Sequence, residues 1–157
     1  MAKDIYITGV IAPDELKQDE RLIGQNESYS YQDLLNDIGE DTEGTVYINS
    51  IGGMVEEGML MYELLNKLNF NTVALSASSI ASVVFLAGKQ RKVARNAQMI
   101  IHNAWMHGEE VGDLTLNANT LEALKQEFDK MDGEIIAIYE EKTKLPASKL
   151  LALMAVD

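Results

Sequence analysis

The sequence predicts an α/β fold with a parallel sheet, and three observations lead to this prediction. Two β-branched, apolar runs, Ile5–Ile11 and Thr45–Asn49, have the composition of strands. A helix with one apolar face follows the second run, and a further strand, Phe70–Leu75, comes directly after that helix. A strand, a helix and a strand in this order favour a parallel sheet with a right-handed crossover.

The composition fits one globular domain over residues 1–157, since 46% of the residues are hydrophobic and 24% are charged. A formal net charge of −12 argues against a nucleic-acid partner. The absence of cysteine excludes disulfides, thiolate metal sites and a cysteine nucleophile. No apolar run approaches the ~18 residues that a membrane-spanning helix needs, and the N-terminus lacks the pattern of a signal peptide. We therefore expect a cytoplasmic protein without a membrane partner.

The first part of the chain alternates between strand and loop signals. Pro13 closes the first strand, and the polar composition of residues 14–30 indicates an exposed loop. Ser30 is a candidate N-cap for a short helix, which Gly39 ends. After the second strand, Ser50–Gly53 reads as a sharp turn that leads into the next helix.

Two further helices are predicted from their apolar periodicity. The helix after the turn contains Gly58 and has apolar positions at Met54, Met61, Leu65 and Leu68. A longer helix, at about 119–142, has a regular stripe at Leu121, Leu124, Phe128, Met131, Ile135 and Ile138. Such a stripe on a long helix indicates packing on a neighbour, another subunit included. His107–Asn117 before it reads as an exposed arm, and Ala147–Met154 as a last helix.

The stretch from Asn71 to Trp105 holds the residues that could supply a nucleophile and a base. A strand passes through a serine-rich turn into a short, small-residue helix, and a second apolar run then delivers His102. A serine at a strand-to-helix turn and a histidine at a strand end would place a nucleophile and a base on rigid elements, which acyl-transfer chemistry needs. The candidate nucleophiles are Ser76, Ser78, Ser79 and Ser82. The alternative is that small residues only let the helix pack tightly on the sheet.

His102 is the candidate general base, because the other histidine, His107, lies in the polar arm. A half-buried histidine held by hydrogen bonds is the alternative interpretation. The acid that would orient His102 must come from elsewhere, and spacing does not choose among Asp113, Asp129, Asp132 and Asp157. Two histidines without cysteines do not indicate a metal site, and no cofactor is expected.

Gly52 and Gly53 follow a strand and precede a helix. Paired glycines there allow close backbone approach and leave N–H groups at the start of the helix. An oxyanion hole, a phosphate cradle and a plain tight connection are all consistent with this pattern. The nucleotide-binding glycine motifs are not present.

Taken together, these motifs resemble the Clp protease proteolytic subunit (ClpP) family, and most closely its phage and prophage relatives, the head-maturation or prohead proteases. YINSIGG at Tyr47–Gly53 resembles the family's INSPGG, with Ile51 in place of proline. ASSIAS at Ala77–Ser82 resembles its nucleophile turn, AASxxS. MIIHNAW at Met99–Trp105 resembles MMIHNPW. The resemblance runs from about Ile5 to the last residue.

The resemblance implies a role for particular residues. In the family the nucleophile lies nine residues before the glycine that closes the following helix, here Gly88, which makes Ser79 the nucleophile. His102 becomes the general base, and the backbone N–H groups of Gly53 and Ile80 become the oxyanion donors. The closing segment resembles the one that carries the triad acid, which makes Asp157 the third member.

The resemblance also implies a fold and an assembly. The fold is the ClpP/crotonase-like spiral of β-β-α units, with the helix at about 119–142 as a protruding handle. The activity is that of a serine endopeptidase acting on polypeptides inside a heptameric ring or stacked rings. An ATP-dependent unfoldase, or a phage capsid or scaffold protein, is the expected partner.

The family's next helix and closing strand do not follow Asp157, so the C-terminal part of the family fold is expected to be missing. A crotonase-type acyl-CoA enzyme and a catalytically silent ClpP-like assembly component are the alternatives. The presence of both Ser79 and His102 argues against each of them, while the missing C-terminal part favours the assembly component.

Overall fold

The computed structural model describes residues 3–24, 26–106 and 117–155. The chain divides into two compact units, Met1–Ile101 and His102–Asp157. The described strands lie in the first unit, and two helices make up most of the described part of the second. The expectation of a single domain over residues 1–157 stays a prediction.

The first unit is built on a parallel sheet, which confirms the predicted fold class. Its strands are β1 (Lys3–Ile11), β2 (Ser28–Tyr29), β3 (Glu43–Gly53), β4 (Asn69–Ser78), β5 (Arg91–Val93) and β6 (Met99–Ile100). Their order is β2-β1-β3-β4-β5, and β6 also pairs with β4. The described pairings are all parallel. The helices of this unit are α1 (Glu20–Ile23), α2 (Tyr31–Ile38), α3 (Val55–Lys67) and α4 (Ile80–Leu86).

Alternating side chains explain why the central strands form. In β1 the buried Ile5 and Ile7 alternate with the exposed Asp4 and Tyr6. β3 and β4 alternate in the same way, and their buried positions include Val46, Ile48, Thr72 and Ala74. Successive side chains of a strand point to opposite faces, so these strands present one apolar face to the core. Burying one such aliphatic side chain contributes roughly 1.5–3 kcal/mol.

Most described residues of 14–30 are exposed or partly exposed, as predicted, but the segment is not a loop throughout. A 3-10 turn at Asp14–Leu16, α1 and the short strand β2 occupy most of this segment. Tyr29 is buried and pairs with Ile11 of β1. Partner strands are distant in the sequence, so local polarity could not reveal this pairing.

The polar side chains of the same segment contact one another. The Lys17 ammonium lies 2.7 Å from an Asp14 carboxylate oxygen and 2.6 Å from one of Asp33. The Ser30 hydroxyl, 1% exposed, donates to Asp14 at 2.7 Å. Some of the polar residues therefore form a partly exposed, ion-paired cluster. We call Asp14, Lys17, Ser30 and Asp33 the Lys17 cluster.

The start and end of α2 were predicted correctly. The Ser30 hydroxyl accepts the Asp33 N–H at 3.0 Å, and the Asp33 carboxylate accepts the Ser30 N–H at 2.9 Å, which is a capping box. Gly39 ends the helix with a φ of 58°. The Tyr31 N–H donates to the Glu57 carboxylate at 2.6 Å, so the first turn of α2 is attached to α3.

β3 runs to Gly53, further than predicted, because the segment expected as a sharp turn continues the strand. Gly9 of β1 faces Ser50, and the next residue of β1 faces Gly52, which leaves Ile51 as an extra residue. The buried Ser50 hydroxyl donates to the Gly9 carbonyl at 2.7 Å. Such a bulge bends the strand and re-aims the residues that follow it.

The helices α3 and α4 approach each other closely at Gly58. A Cβ atom at this position would lie 2.3 Å from Ile80 Cγ1, so the contact requires glycine. All seven residues of α4 are buried, which confirms the predicted short buried helix. At its other end Gly88 is equally close to Thr72, since a Cβ atom there would lie 2.2 Å from the threonine Oγ1.

The strand β5 was not predicted. Its residues are exposed and two of them, Arg91 and Lys92, are charged, so the segment lacks the apolar composition of a buried strand. The strand forms because this segment pairs with Thr72–Ala74 of β4. Charged side chains are typical of strands at the edge of a sheet.

The described part of the second unit contains α5 (Ala118–Thr143) and α6 (Ala147–Met154). Both helices were predicted, and Asn117 caps α5 by accepting two backbone N–H groups. Ile135 of the apolar stripe is buried, whereas Leu121 is 54% exposed. Packing of this stripe on another subunit stays a prediction.

Most of the arm expected at His107–Asn117 lies outside the described residues. Within the described residues, no helix is both long and apolar enough to cross a membrane.

Candidate active site

Ser79 occupies the turn between the end of β4 and the start of α4. Its backbone has φ 55° and ψ −134°, a combination that residues with a side chain rarely adopt. The Ser79 N–H donates at 2.7 Å to the carbonyl of Ile100, the last residue of β6. Its carbonyl accepts the Ser82 N–H at 3.0 Å and the Ser82 hydroxyl at 2.5 Å. Both sides of the strained residue are therefore fixed by hydrogen bonds.

Gly52 lies directly against Ser79. A Cβ atom at residue 52 would lie 2.6 Å from Ser79 Cβ, 2.7 Å from the Ser78 carbonyl oxygen and 3.2 Å from Ser79 Oγ. Gly52 also has a φ of +94°, which residues with a side chain rarely adopt. The paired glycines were expected to allow a close backbone approach. At Gly52 the backbone does approach closely, and the residue it approaches is the candidate nucleophile, Ser79.

Each of the two expected oxyanion donors directly follows one partner of this contact in the sequence. Gly53 ends β3 beside Ile11 of β1, and the adjoining hydrogen bond runs from the Met54 N–H to the Ile11 carbonyl at 2.9 Å. Ile80 is the first residue of α4, where a backbone N–H has no acceptor within the helix. The Ile80 side chain is 2% exposed and packs over Gly58, which holds the start of α4 in place.

The neighbouring serines have different surroundings. Ser82 is 1% exposed and its hydroxyl donates to the Ser79 carbonyl, so it serves the turn rather than facing solvent. The Ser76 hydroxyl donates to the Gln98 carbonyl at 3.4 Å. Ser78 and Ser79 are both partly exposed, but only Ser79 has the strained backbone. Sequence reasoning had left Ser82 as a candidate nucleophile, because its bond to Ser79 is visible only in three dimensions.

His102 is the first residue of the second unit and comes two residues after Ile100, whose carbonyl accepts the Ser79 N–H. The His102 Nδ1 atom lies 2.7 Å from the Asn103 carbonyl oxygen. The centroid of its ring lies 6.2 Å from that of Trp105. Ser79 and His102 therefore belong to different units, and their pairing as nucleophile and base is a matter for proposal.

The candidate acids separate into two groups. Asp157, the acid that the resemblance implies, lies outside the described residues, and so do Asp113 and the second histidine, His107. Asp129 on α5 is exposed and pairs with Lys125. Asp132, one turn further along, accepts the Ala104 N–H at 2.7 Å. Asp132 is thus the described candidate acid that contacts the segment carrying His102.

Metal binding receives no support from the described part of the chain. In residues 3–24, 26–106 and 117–155 there is no group of three or more histidine, aspartate or glutamate side chains that could hold an ion.

The residues of this candidate site lie within a match to a known protein family. A model of the Clp protease family matches residues 30–157, which include the turn at Ser79 and the segment at His102. The chain belongs to the Clp protease family. The expected ClpP-like α/β fold is confirmed by this match together with the parallel sheet.

Curated members of the family resemble this chain over most of its length. The ATP-dependent Clp protease proteolytic subunit of Deinococcus radiodurans is 30% identical over 131 residues, which are 79% of this chain and 60% of the relative. The proteolytic subunit 1 of Rhodococcus jostii is 31% identical over 70% of this chain and 55% of its own. The subunit of Pelargonium hortorum is 28% identical over 72% and 52%.

The chain thus spans between half and about 60% of the length of these relatives. The narrower resemblance to phage head-maturation proteases stays a prediction.

Proposed function

We propose that this member of the Clp protease family is a serine endopeptidase. Ser79 Oγ attacks the scissile carbonyl carbon, while His102 takes the hydroxyl proton and later donates it to the leaving amine. The N–H groups of Gly53 and Ile80 hydrogen-bond the oxyanion of the tetrahedral intermediate. Asp157 is the acid proposed to orient the imidazole.

The strained backbone of Ser79 is the observation that carries this proposal. Within the described residues two residues other than glycine have a positive φ, Ser79 and Lys144. Lys144 has the left-handed conformation common at the end of a helix, with ψ 16°, whereas Ser79 has ψ −134°. Tight packing of small residues alone does not require a strained serine. Strain of about 1–3 kcal/mol persists where surrounding contacts enforce it, as at active sites.

The proposed substrate is a polypeptide, because the named relatives are proteolytic subunits of an ATP-dependent protease. From the same relatives we propose that an ATP-dependent unfoldase delivers the substrate. Processing of a phage capsid or scaffold protein is the finer alternative that the sequence motifs suggest. Assembly into heptameric rings, single or stacked, would bury the exposed apolar side chains of α5, among them Leu121.

Cleavage of an unfolded protein such as casein tests the proposal directly. Ser79→Ala removes only one hydroxyl, so we expect the fold and the oligomeric state to persist while cleavage falls by roughly 10⁴-fold or more. The matched control is Ser78→Ala, which removes the adjacent hydroxyl and should remain active. Loss of cleavage in Ser78→Ala with activity retained in Ser79→Ala would overturn the assignment of the nucleophile.

The two alternatives predict different results in the same assay. A catalytically silent assembly component would form the oligomer but leave casein intact in the wild-type protein. The crotonase-type alternative loses its support, because the family match is to Clp protease over residues 30–157.

A further inference from the structure

One buried hydroxyl connects β1 to the paired glycines at the end of β3. Ser50 is 2% exposed, and its hydroxyl donates to the Gly9 carbonyl at 2.7 Å. The same oxygen accepts the Gly52 N–H at 3.1 Å. Because a hydroxyl can donate and accept at once, a single side chain satisfies a backbone group on each of the two strands.

The β1 end of this connection is fixed. The Val10 N–H belongs to the same peptide group as the Gly9 carbonyl, and it donates to the Glu27 carbonyl at 2.8 Å. A Cβ atom at residue 9 would overlap that Glu27 oxygen, so the two backbones lie in close contact. The peptide group that accepts the Ser50 hydroxyl is therefore held on both sides.

The paired glycines need a restraint from outside. Gly52 and Gly53 have φ values of +94° and +153°, and neither has a side chain whose packing could fix the peptide group between them. The N–H of that group belongs to Gly53 and is a proposed oxyanion donor. On one side of it, the Gly52 N–H is bonded to Ser50. On the other side, the Met54 N–H donates to the Ile11 carbonyl at 2.9 Å.

The pairing of β1 with β3 determines which way the Gly53 N–H points. Ile11 pairs with Gly53, and its carbonyl accepts the N–H of the following residue, Met54. In a parallel pair, a residue that bonds to the neighbours of its partner leaves the partner's own N–H directed away from it. The Gly53 N–H therefore points away from β1. The strand on that side of β3 is β4, which leads into Ser79.

We propose that Ser50 is a positioning residue for the oxyanion hole. Its hydroxyl ties the Gly52 N–H to β1 and thereby fixes the direction of the next N–H, that of Gly53. The inference rests on the proposed function, in which the Gly53 N–H stabilises the oxyanion. Ser50 takes no part in proton transfer and acts through the backbone of the two glycines.

Hydrogen exchange at the Gly52 amide, read by mass spectrometry with fragmentation to single residues, tests this restraint without any need for activity. We expect slow exchange in the wild-type protein. In Ser50→Ala the Gly52 N–H loses its acceptor, so we expect exchange about tenfold faster, the factor expected for loss of one hydrogen bond. Rapid exchange at Gly52 in the wild-type protein, or equal rates in the two proteins, would overturn the proposal.

Thr72→Val is the matched control. It removes another buried hydroxyl, which donates to the Phe85 carbonyl at 2.7 Å and has no contact with the paired glycines. We expect a lower thermal midpoint with exchange at Gly52 near the wild-type rate. Exchange at Gly52 as fast in Thr72→Val as in Ser50→Ala would show that loss of stability, and not loss of the Ser50 bond, is the cause, and would contradict the proposal.

Steady-state cleavage of a short fluorogenic peptide separates positioning from a purely structural role. Weaker oxyanion stabilisation affects the transition state and not the bound substrate, so in Ser50→Ala we expect kcat to fall by about 10²-fold with KM within about twofold. Thr72→Val should keep the wild-type kcat. Ser50→Cys offers only a weak donor and acceptor, and its kcat should fall by about tenfold, which keeps the test decisive where Ser50→Ala does not fold.

The two experiments distinguish this inference from the proposed function. No cleavage by the wild-type protein would contradict the proposed function, while exchange at Gly52 would still show whether Ser50 restrains the glycines. Cleavage by the wild-type protein together with an unchanged kcat in a folded Ser50 variant, or with a loss confined to KM, would contradict the role of Ser50 alone.

Discussion

Ser79 depends on a residue that has no side chain. Gly52 brings the backbone of β3 against the Cβ and Oγ atoms of Ser79, at distances that a Cβ on residue 52 would reduce below contact. The Ser79 carbonyl accepts a hydrogen bond from the Ser82 hydroxyl. Gly52 and Ser82 both help to determine the position of the Ser79 hydroxyl group. A shift of about 1 Å at such a position costs on the order of 10²-fold in rate.

Gly52→Ala should therefore abolish most of the activity. The added Cβ would lie 2.6 Å from Ser79 Cβ, so the turn must move. We expect the rate of fluorophosphonate modification to fall by about 10²-fold. Gly39→Ala is the matched control, because Gly39 also has a positive φ but a Cβ there meets nothing closer than 3.9 Å. Gly39→Ala should lower the thermal midpoint and leave the rate unchanged; equal rates in the two variants would contradict the role of Gly52.

Two elements, α3 and α4, determine where the backbone of the turn lies. Ile80 starts α4 and packs over Gly58, and the absence of a side chain at residue 58 lets the two helices approach. Since Ile80 is β-branched and 2% exposed, it cannot move aside at low cost. Packing between helices is thus connected to the direction of the Ile80 N–H.

Gly58→Ala tests this connection. Overpacking costs about 1–3 kcal/mol, against roughly 1 kcal/mol gained from the helix propensity of alanine. We expect a lower free energy of unfolding together with slower modification of Ser79. Gly133→Ala on α5 is the control, because a Cβ there meets nothing within 4 Å and alanine should stabilise that helix. A more stable Gly58→Ala variant with unchanged reactivity would contradict the proposed coupling.

The Lys17 cluster makes the stability of the 14–33 region depend on pH. The hydrogen bond between the Asp14 carboxylate and Lys17 is the main cause that lowers the pKa of Asp14. Burial works to raise the pKa of Asp33, but the contact with Lys17 and the Ser30 N–H outweigh it, so that pKa is lowered as well. A carboxyl whose pKa is lower in the folded state stabilises the fold above its unfolded value of about 3.9, and this stabilisation is lost as pH falls through the folded pKa.

Lys17→Met should therefore lower the thermal midpoint at pH 7 more than at pH 3. At pH 3, below the unfolded value of about 3.9, part of the stabilisation that the two lowered pKa values provide is already lost in the wild type. The measurement is a pair of thermal unfolding curves for each protein at the two pH values. A difference between variant and wild type that is as large at pH 3 as at pH 7 would show that the cluster does not act through charge.

At the scale of the whole molecule, strong periodicity in the sequence predicted the elements correctly. The strands β1, β3 and β4, the capped helix α2 and the long helix α5 all follow from local patterns of apolar and capping residues. The interpretation of residues 14–30 as a loop missed the strand β2, because Tyr29 finds its partner strand, β1, in a distant part of the chain. The exposed strand β5 was missed for the same reason.

For the candidate site, too, local motifs in the sequence were informative and contacts between distant segments were not predicted. Motifs alone selected Ser79 and His102, since the residue types and their spacing carry that information. The contact of Gly52 with Ser79, the bond from Ser82 and the bond from Ala104 to Asp132 arise only when distant segments meet. Spacing in the sequence could not choose among four aspartates for this reason.

The central claim concerns the whole molecule, because Ser79 and His102 belong to different units. The most direct test is modification of the protein with a fluorophosphonate, followed by peptide mass mapping, in the wild type and in His102→Ala. The proposed function predicts an adduct on Ser79 that forms at least about 10³-fold more slowly without His102. An adduct on Ser78 or Ser82, equal modification of Ser79 in both proteins, or no adduct in the wild type would contradict it.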